Sequence, residues 1–401
     1  GPMLMPRYKA HSQLKAAAAI GTAALLSPLM IMSIAAAIPS ADDCIIYAAD
    51  ASARLAAGSF FAPDTEKNDS PTEITAALSN EDKPTDNTEH SYLSFDDSYM
   101  LSYGELDIPS SENEEKPVDE NKDVGASPYP ESLESRDGII TPLTYGYMSG
   151  TDYIDLDGGG QIRNVTSVSN SILEEESRKP LDFEIEFNGE PQILIMHTHE
   201  TESYEPYTRD FYDSSFTSRT TDDSKNMAAV GSAIAAQLEN AGIGVIHDTT
   251  KHDYPSYNGS YDRSRVTVQN ILDEYPSIKV VLDIHRDAIE RADGTRIAPT
   301  TEINGKKAAQ LMIICGCDDG TMGMPNCLKN FRFASALQQQ FETDYPTLSR
   351  PVLFDYRKYN QDMTTGSLLI EVGGHANSIE EAVYSGELIG KSLVDLFSKE
   401  E

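Results

Sequence analysis

Residues 192–204 read QILIMHTHETESY. The apolar run 193–196 drops straight into His197, His199, Glu200 and Glu202. A short apolar run bounded by polar residues reads as a buried strand. In open α/β sheets, ligands and chemistry collect at the carboxyl ends of the strands. Two imidazoles and two carboxylates at one strand end are therefore in the right place for a metal. On an extended backbone His197 and His199, two residues apart, point to the same face. The plainer reading is a solvated loop that happens to be His-rich, and companions further along the chain weigh against it.

From residue 191 onward, apolar strands alternate with amphipathic helices. Met227, Val230, Ile234 and Leu238 recur at helical spacing across 225–241, with Asp222 or Asp223 as cap and Gly242 as stop. A short strand follows at 243–246. Val268, Ile271, Leu272 and Tyr275 stripe a second helix, which Pro276 ends. IKVVLDI at 278–284, the run 311–315 and SLLIEV at 367–372 read as strands, and 326–341 and 378–397 as helices. This alternation predicts an α/β domain over 191–401: a mainly parallel twisted sheet flanked by helices. Upstream, 138–190 is expected to be an N-terminal elaboration packed on that domain, with strand or loop structure at Ile139, Ile140, Leu143, Tyr145 and Tyr147, a turn at 158–160 and a short helix over 164–176.

Two more strand ends carry chemistry. His285, Arg286 and Asp287 follow one apolar strand; Glu371 sits inside another, with His375 just beyond. Two histidines and a carboxylate drawn from separate strand ends form a familiar hydrolase arrangement. Three protein ligands hold Zn²⁺ and leave a fourth position for water, whose pKa falls to about 7. A separate glutamate can then move the proton to the leaving amine. Alone, His285 is more often a satisfied polar group than a ligand. Glu371 is harder to dismiss, because a carboxylate inside an apolar strand is costly without a partner. No HExxH helix motif occurs, which excludes the common zincin scaffold.

Composition sets the outer bounds. The formal net charge is −34, from 31 Lys and Arg against 65 Asp and Glu. No nucleic-acid partner is expected, because duplex binding relies on cations to neutralise phosphate. Cys44, Cys315, Cys317 and Cys327 are too few for a disulfide framework and read as buried or isolated thiols. Near the N-terminus, Arg7, Lys9 and Lys15 precede an uncharged run at 16–38, and Asp42 and Asp43 follow. That run is long enough to span a membrane as a helix, with its positive flank inside. The expectation for 1–43 is a cytoplasmic N-terminus and a single transmembrane anchor, with everything after residue 42 outside the cell membrane. Ala35, Ala36 and Ala37 also suit a signal-peptidase site. Residues 44–137 are acidic and lack apolar periodicity, so a disordered tether is expected.

At ILIMHTHETESY (193–204), VVLDIHRDA (280–288) and RPVLFDYRKYNQDMTTGSLLIEVGGHANSIEEA (350–382) the chain resembles the stage II sporulation protein P family, SpoIIP. These are cell-wall hydrolases of endospore-forming bacteria, distantly similar to zinc N-acetylmuramoyl-L-alanine amidases. The resemblance covers about 138–401, and the anchor and tether match the family's layout. It implies His199 and His285 as zinc ligands and Glu371 as the catalytic glutamate. For the third ligand it favours Glu202 narrowly over Asp222 and Asp223. His197 would stand behind the ligands or face substrate. Arg286, Asp287 and the 357–361 run, with Asn360 and Gln361, would line the groove and hold peptide or sugar groups.

The resemblance further implies cleavage of peptidoglycan between N-acetylmuramic acid and L-alanine, endopeptidase action on stem cross-links, and a role in septal thinning and engulfment. It implies the lytic transglycosylase SpoIID and the membrane protein SpoIIM as partners. Three positions depart from the family's pattern: Cys327 replaces a Trp, Asp362 a His, and His375 a small residue. They bear on substrate contacts and leave the metal set intact. The competing readings are a non-catalytic wall-binding or scaffold protein and a zinc peptidase of unrelated substrate. The intact His199, His285 and Glu371 argue against the first.

Overall fold

A computed structural model describes residues 126–399, all within one unit of the chain, Thr88–Glu401. The expected anchor at 16–38 and most of the expected tether lie outside the described residues. Among those described, no helix is long and apolar enough to cross a membrane. The chain lays down β1 (Gly138–Leu143), β2 (Tyr153–Asp155), β3 (Gln161–Asn164) and helix α1 (Asn170–Glu176). Strands β4 (Pro191–Met196) and β5 (Phe211–Tyr212) precede α2 (Met227–Asn240), β6 (Gly244–His247) and α3 (Ser260–Glu274). Then come β7 (Val280–Asp287), β8 (Arg296–Ile303), β9 (Lys306–Ala309) and β10 (Leu311–Gly316). Helix α4 (Cys327–Asp344), β11 (Val352–Asp355), β12 (Gly366–Gly374) and α5 (Ile379–Ser398) complete it.

The main sheet has eight strands in the order β2-β3-β11-β10-β12-β7-β4-β6. Pairing is parallel from β12 through β7 and β4 to β6, and again from β10 through β11 to β3. It is antiparallel between β10 and β12 and between β2 and β3. The mixed α/β architecture therefore carries the expected mainly parallel character. The segment 138–190 does more than pack on the domain: β2 and β3 extend the main sheet, while β1 joins a separate four-stranded sheet, β5-β1-β8-β9. Residues ahead of Gly138, expected to be tether, are also packed in part: Ala126 and Leu133 are buried.

Parity along the strands decides which face receives chemistry. Successive strand side chains alternate between faces. Ile193 and Ile195 on β4, with Val280, Leu282 and Ile284 on β7, join the large core that includes Val230, Ile234 and Leu238 of α2 and Leu388, Ile389 and Leu393 of α5. Leu194, Met196 and Val281 face the other way, against Val268 of α3. Asp283 and His285 continue the Val281 series. On β12, Leu368, Ile370 and Val372 belong to the large core, whereas Leu369 packs with Tyr261 of α3 and Tyr359. Glu371 follows Leu369 by two. His285 and Glu371 thus emerge on the α3 face, and the register pairs them directly across β7 and β12.

Candidate active site

Three strand ends meet at one open cleft of about 180 Å³. His199, Glu202, His285, Arg286, Asp287 and Glu371 all line it. The His199 and His285 rings lie edge to face with centroids 5.2 Å apart. A turn after β4, closed by the Glu202 amide donating to the His199 carbonyl at 3.2 Å, brings Glu202 back over the site. Its Oε2 lies 3.9 Å from His285 Nδ1 and accepts the Arg286 backbone N–H at 3.3 Å.

The electrostatics follow from burial. His199 is held well below the ordinary histidine range, first by burial and then by the positive charge of His285 and nearby arginines. Burial opposes protonation of His285 too, but Asp283, Glu202 and Glu371 outweigh it and push His285 up to about 9. Glu371 is pushed up to about 8 by burial and the Asp287 carboxylate. Five polar atoms of the cleft lining are buried without a hydrogen-bond partner: His199 Nδ1, His285 Nε2, Arg296 Nη1, Glu371 Oε2 and His375 Nδ1. His285 Nε2 does lie 2.8 Å from Asp283 Oδ1, but off the line a hydrogen bond requires. Asp283 is committed elsewhere, accepting from the Thr198 amide and hydroxyl at 2.8 and 2.7 Å.

The remaining expected residues divide sharply. Asp222 turns onto Ser224, and Asp223 is exposed and paired with Lys251, so neither reaches the cleft. Their expected capping role also fails: Asn226 caps α2, accepting from the Ala228 amide. His197 is fully buried behind the site, bonded to the Ile284 carbonyl and to His247 Nε2, both at 3.0 Å. Burial and His247 push it down to about 3. Glu200 turns to Asn226 and Lys251 and is pushed up to about 8 by burial. Arg286 lines the cleft, yet its guanidinium is spent on the Ser203 and Ser218 carbonyls at 2.7 and 2.8 Å. Asp287 pairs with Arg350 at 3.0 Å.

Asn360 and Gln361 do not line the cleft. Asn360 donates to the Tyr261 carbonyl and Ser264 hydroxyl. Gln361 bridges the backbone of β10, accepting from the Gly316 amide and donating to the Ile314 carbonyl at 2.8 and 2.9 Å.

Several contributors carry no motif. Tyr257 stacks on His199 with centroids 4.4 Å apart, and Arg219 lies 4.5 Å over the Tyr257 ring. Arg219 also reaches Asp253 at 3.0 Å and Glu202 at 3.7 Å. Tyr261 stacks between Tyr359 and His285. Asp283 had a readable signal, since it is a carboxylate inside an apolar strand two residues from His285. His375 owes its place to Gly373, whose φ of 61° breaks the β12 register. A side chain at Gly373 would come within 2.6 Å of Ala309 Cβ and Asn377 Oδ1.

The fold and site define an α/β protein with a buried histidine–carboxylate centre at the carboxyl ends of its strands. The chain belongs to the stage II sporulation protein P (SpoIIP) family, whose profile matches residues 109–393. It is 31% identical over 220 residues to the Stage II sporulation protein P of Bacillus subtilis (strain 168), a match covering 52% of this chain and 50% of that one. It therefore spans about half the length of that curated relative. Among solved structures it is similar to the N-acetylmuramoyl-L-alanine amidase from Clostridium difficile 630, at 14% identity and a TM-score of 0.32, over 53% of this chain and 97% of that one. The amidase AmiC2 of Nostoc punctiforme matches at 12% identity and a TM-score of 0.31, over 53% and 98%. Those likenesses are too remote to transfer any residue's role.

Proposed function

We propose that this protein is a zinc-dependent peptidoglycan hydrolase that cleaves the amide bond between N-acetylmuramic acid and L-alanine. The observation that carries the reading is the pairing of His285 with Glu371 across β7 and β12, beside His199 and Glu202 in one cleft. Two neutral-capable imidazoles and a carboxylate match the donor set zinc prefers. Among the described residues, no three such side chains already stand close enough together to hold a metal. The fit rests on donor chemistry and on unpartnered nitrogens of His199 and His285, since buried polar atoms are ordinarily satisfied. His199, His285 and Glu202 would hold the ion.

Bound zinc would supply Lewis acidity, polarising the scissile carbonyl and acidifying a water. The chain's own contribution is proton traffic and orientation. Glu371 Oε2, buried and unpartnered, takes the proton of the attacking water as the new C–O bond forms. It returns that proton to the leaving nitrogen as the C–N bond breaks. Tyr257 and Tyr261 pack on the two imidazoles and hold their planes. Arg286 fixes the turn that carries Glu202 through the Ser203 carbonyl.

The same reading extends to stem cross-links as a second bond class. It places the enzyme in septal wall remodelling and engulfment, with SpoIID and SpoIIM as partners. It also holds the domain outside the cell membrane through the 16–38 run. The test is metal content and digestion of purified cell wall by the full chain and two variants. The parent should carry about one zinc and release wall fragments. Glu371→Gln should keep the metal and lose at least a hundredfold in rate, and His199→Ala should lose both. A parent without zinc, or a Glu371→Gln that digests wall normally, would return the chain to a wall-binding role.

A further inference from the structure

The cleft contains polar groups that the chemistry at Glu371 leaves unused. We propose that Arg296 and His375 form an anion subsite that selects stem peptides bearing a free carboxylate, rather than a carboxamide, on the residue after L-alanine. The inference rests on the hydrolase reading above.

Arg296 opens β8, and its guanidinium lies 3.7 Å over the Tyr212 ring. Its Nε is 3.4 Å from Glu290, whose side chain is 48% exposed, so that pair is open to water and weakly held. Nη1 is buried and has no partner. His375 stands just beyond β12, its backbone N–H fixed on the Asp287 carbonyl at 2.9 Å. The residue is 6% exposed, and its Nδ1 also lacks a partner. Both side chains line the same cleft as Glu371.

Buried polar atoms without partners are uncommon in folded proteins, and two in one accessible cleft point to ligand atoms. The other arginines lining the cleft are engaged: Arg286 by backbone carbonyls, Arg219 by Asp253 and Glu202. A guanidinium N–H can only donate. The atom that satisfies it must be an acceptor, and the cation beside it favours an anionic one. The peptide attached to muramic acid supplies such a group close to the scissile bond. Its second residue is joined through a side-chain carboxyl, which leaves the α-carboxylate free in some walls and amidated in others. A carboxylate offers the Arg296 guanidinium two acceptor oxygens and a negative charge; a carboxamide offers one acceptor, no charge, and an NH₂ that would meet a donor. That mismatch makes the site selective as well as attractive.

The experiment uses the full chain with zinc and two N-acetylmuramoyl dipeptides, identical except for carboxylate or carboxamide at the second residue. Hydrolysis is measured with the parent, and binding with Glu371→Gln by calorimetry. The acid should be favoured at least tenfold in both, mainly through KM in the hydrolysis. Arg296→Gln, alone or on the Glu371→Gln background, should bring each ratio close to one, and Arg296→Lys should restore part of it. If Arg296→Gln fails to fold, His375→Phe carries the same test, because it fills the space without a polar atom. A parent ratio near one, or a ratio that survives in a folded Arg296→Gln, overturns the subsite. Discrimination in binding with no cleavage of either peptide would keep the subsite and reject the hydrolase reading; cleavage without discrimination would do the reverse.

Discussion

Gln361 shows how a polar residue beside a functional run can be wholly structural. Sequence reasoning puts it in the substrate groove with Asn360, yet both of its amide atoms are bonded to β10 and the residue is 2% exposed. Gln361→Ala leaves a buried amide and a buried carbonyl unpaired, which should cost about 2 kcal/mol of stability. Urea unfolding checks this, and a large KM effect in folded protein would instead support the substrate role. His199, His285, Glu202 and Glu371 were legible because rare polar residues ended or interrupted apolar runs. Tyr257 and Tyr261 were not: an aromatic in a loop or at a helix start has no distinctive pattern, and only folding sets it against an imidazole.

At the scale of elements, β4, β7, β10 and β12 were readable because strands buried on both faces are continuously apolar. Strands β5, β8 and β9 of the smaller sheet were missed. Strand β8 mixes Pro299, Thr300, Thr301 and Glu302 with its apolar residues, which blurs any alternation. Its turn was readable in principle: Asn304 and Gly305 both take positive φ, 52° and 75°, as a tight hairpin requires.

Helix packing offers a test of sign. A Cβ at Gly390 of α5 would stand 2.6 Å from Gln237 Cβ and 2.8 Å from the Ile234 carbonyl of α2. Helix propensity favours alanine over glycine by about 1 kcal/mol, whereas overpacking costs about 1–3 kcal/mol. A backbone carbonyl cannot step aside, so Gly390→Ala should be net destabilising by about 1–2 kcal/mol in a denaturant titration. A second test is ionic. Glu176 of α1 is hydrogen-bonded by Lys179 and by Arg332 of α4, each at 2.7 Å. Burial alone would raise its pKa, but those two bonds lower it below the ordinary carboxylate value. A depressed folded pKa gives stability that is present above the unfolded value and lost as pH falls through the folded one. The stability gap between the parent and Glu176→Gln should therefore be full near neutrality and close in acid, as thermal melts across that range would show.

For the whole molecule, two tests apply: one of the proposed metal, one of the segment ahead of Gly138. If His199, His285 and Glu202 hold zinc, removing it withdraws a ligand of the folded state, worth about 2.7 kcal/mol at a hundredfold excess over Kd. Chelation should then lower the melting temperature by several degrees, and His285→Ala should abolish that response. The residues just ahead of Gly138 form another hold on the domain. Leu133 is buried, Tyr129 donates to the Tyr204 carbonyl at 3.0 Å, and the Ser127 carbonyl accepts from the Thr220 hydroxyl and the Thr221 amide. A protein beginning at Gly138 should be less stable than one beginning at Ala126 by about 3 kcal/mol, roughly the burial of one large apolar side chain. It should also exchange amide hydrogens faster across 199–221. That attachment fixes where a mechanical load would enter. Tension along the chain ahead of Ser127 arrives first at Thr220 and Thr221, beside Arg219 and one bridge from Glu202, so the lip of the cleft would feel a pull before the sheet beneath it.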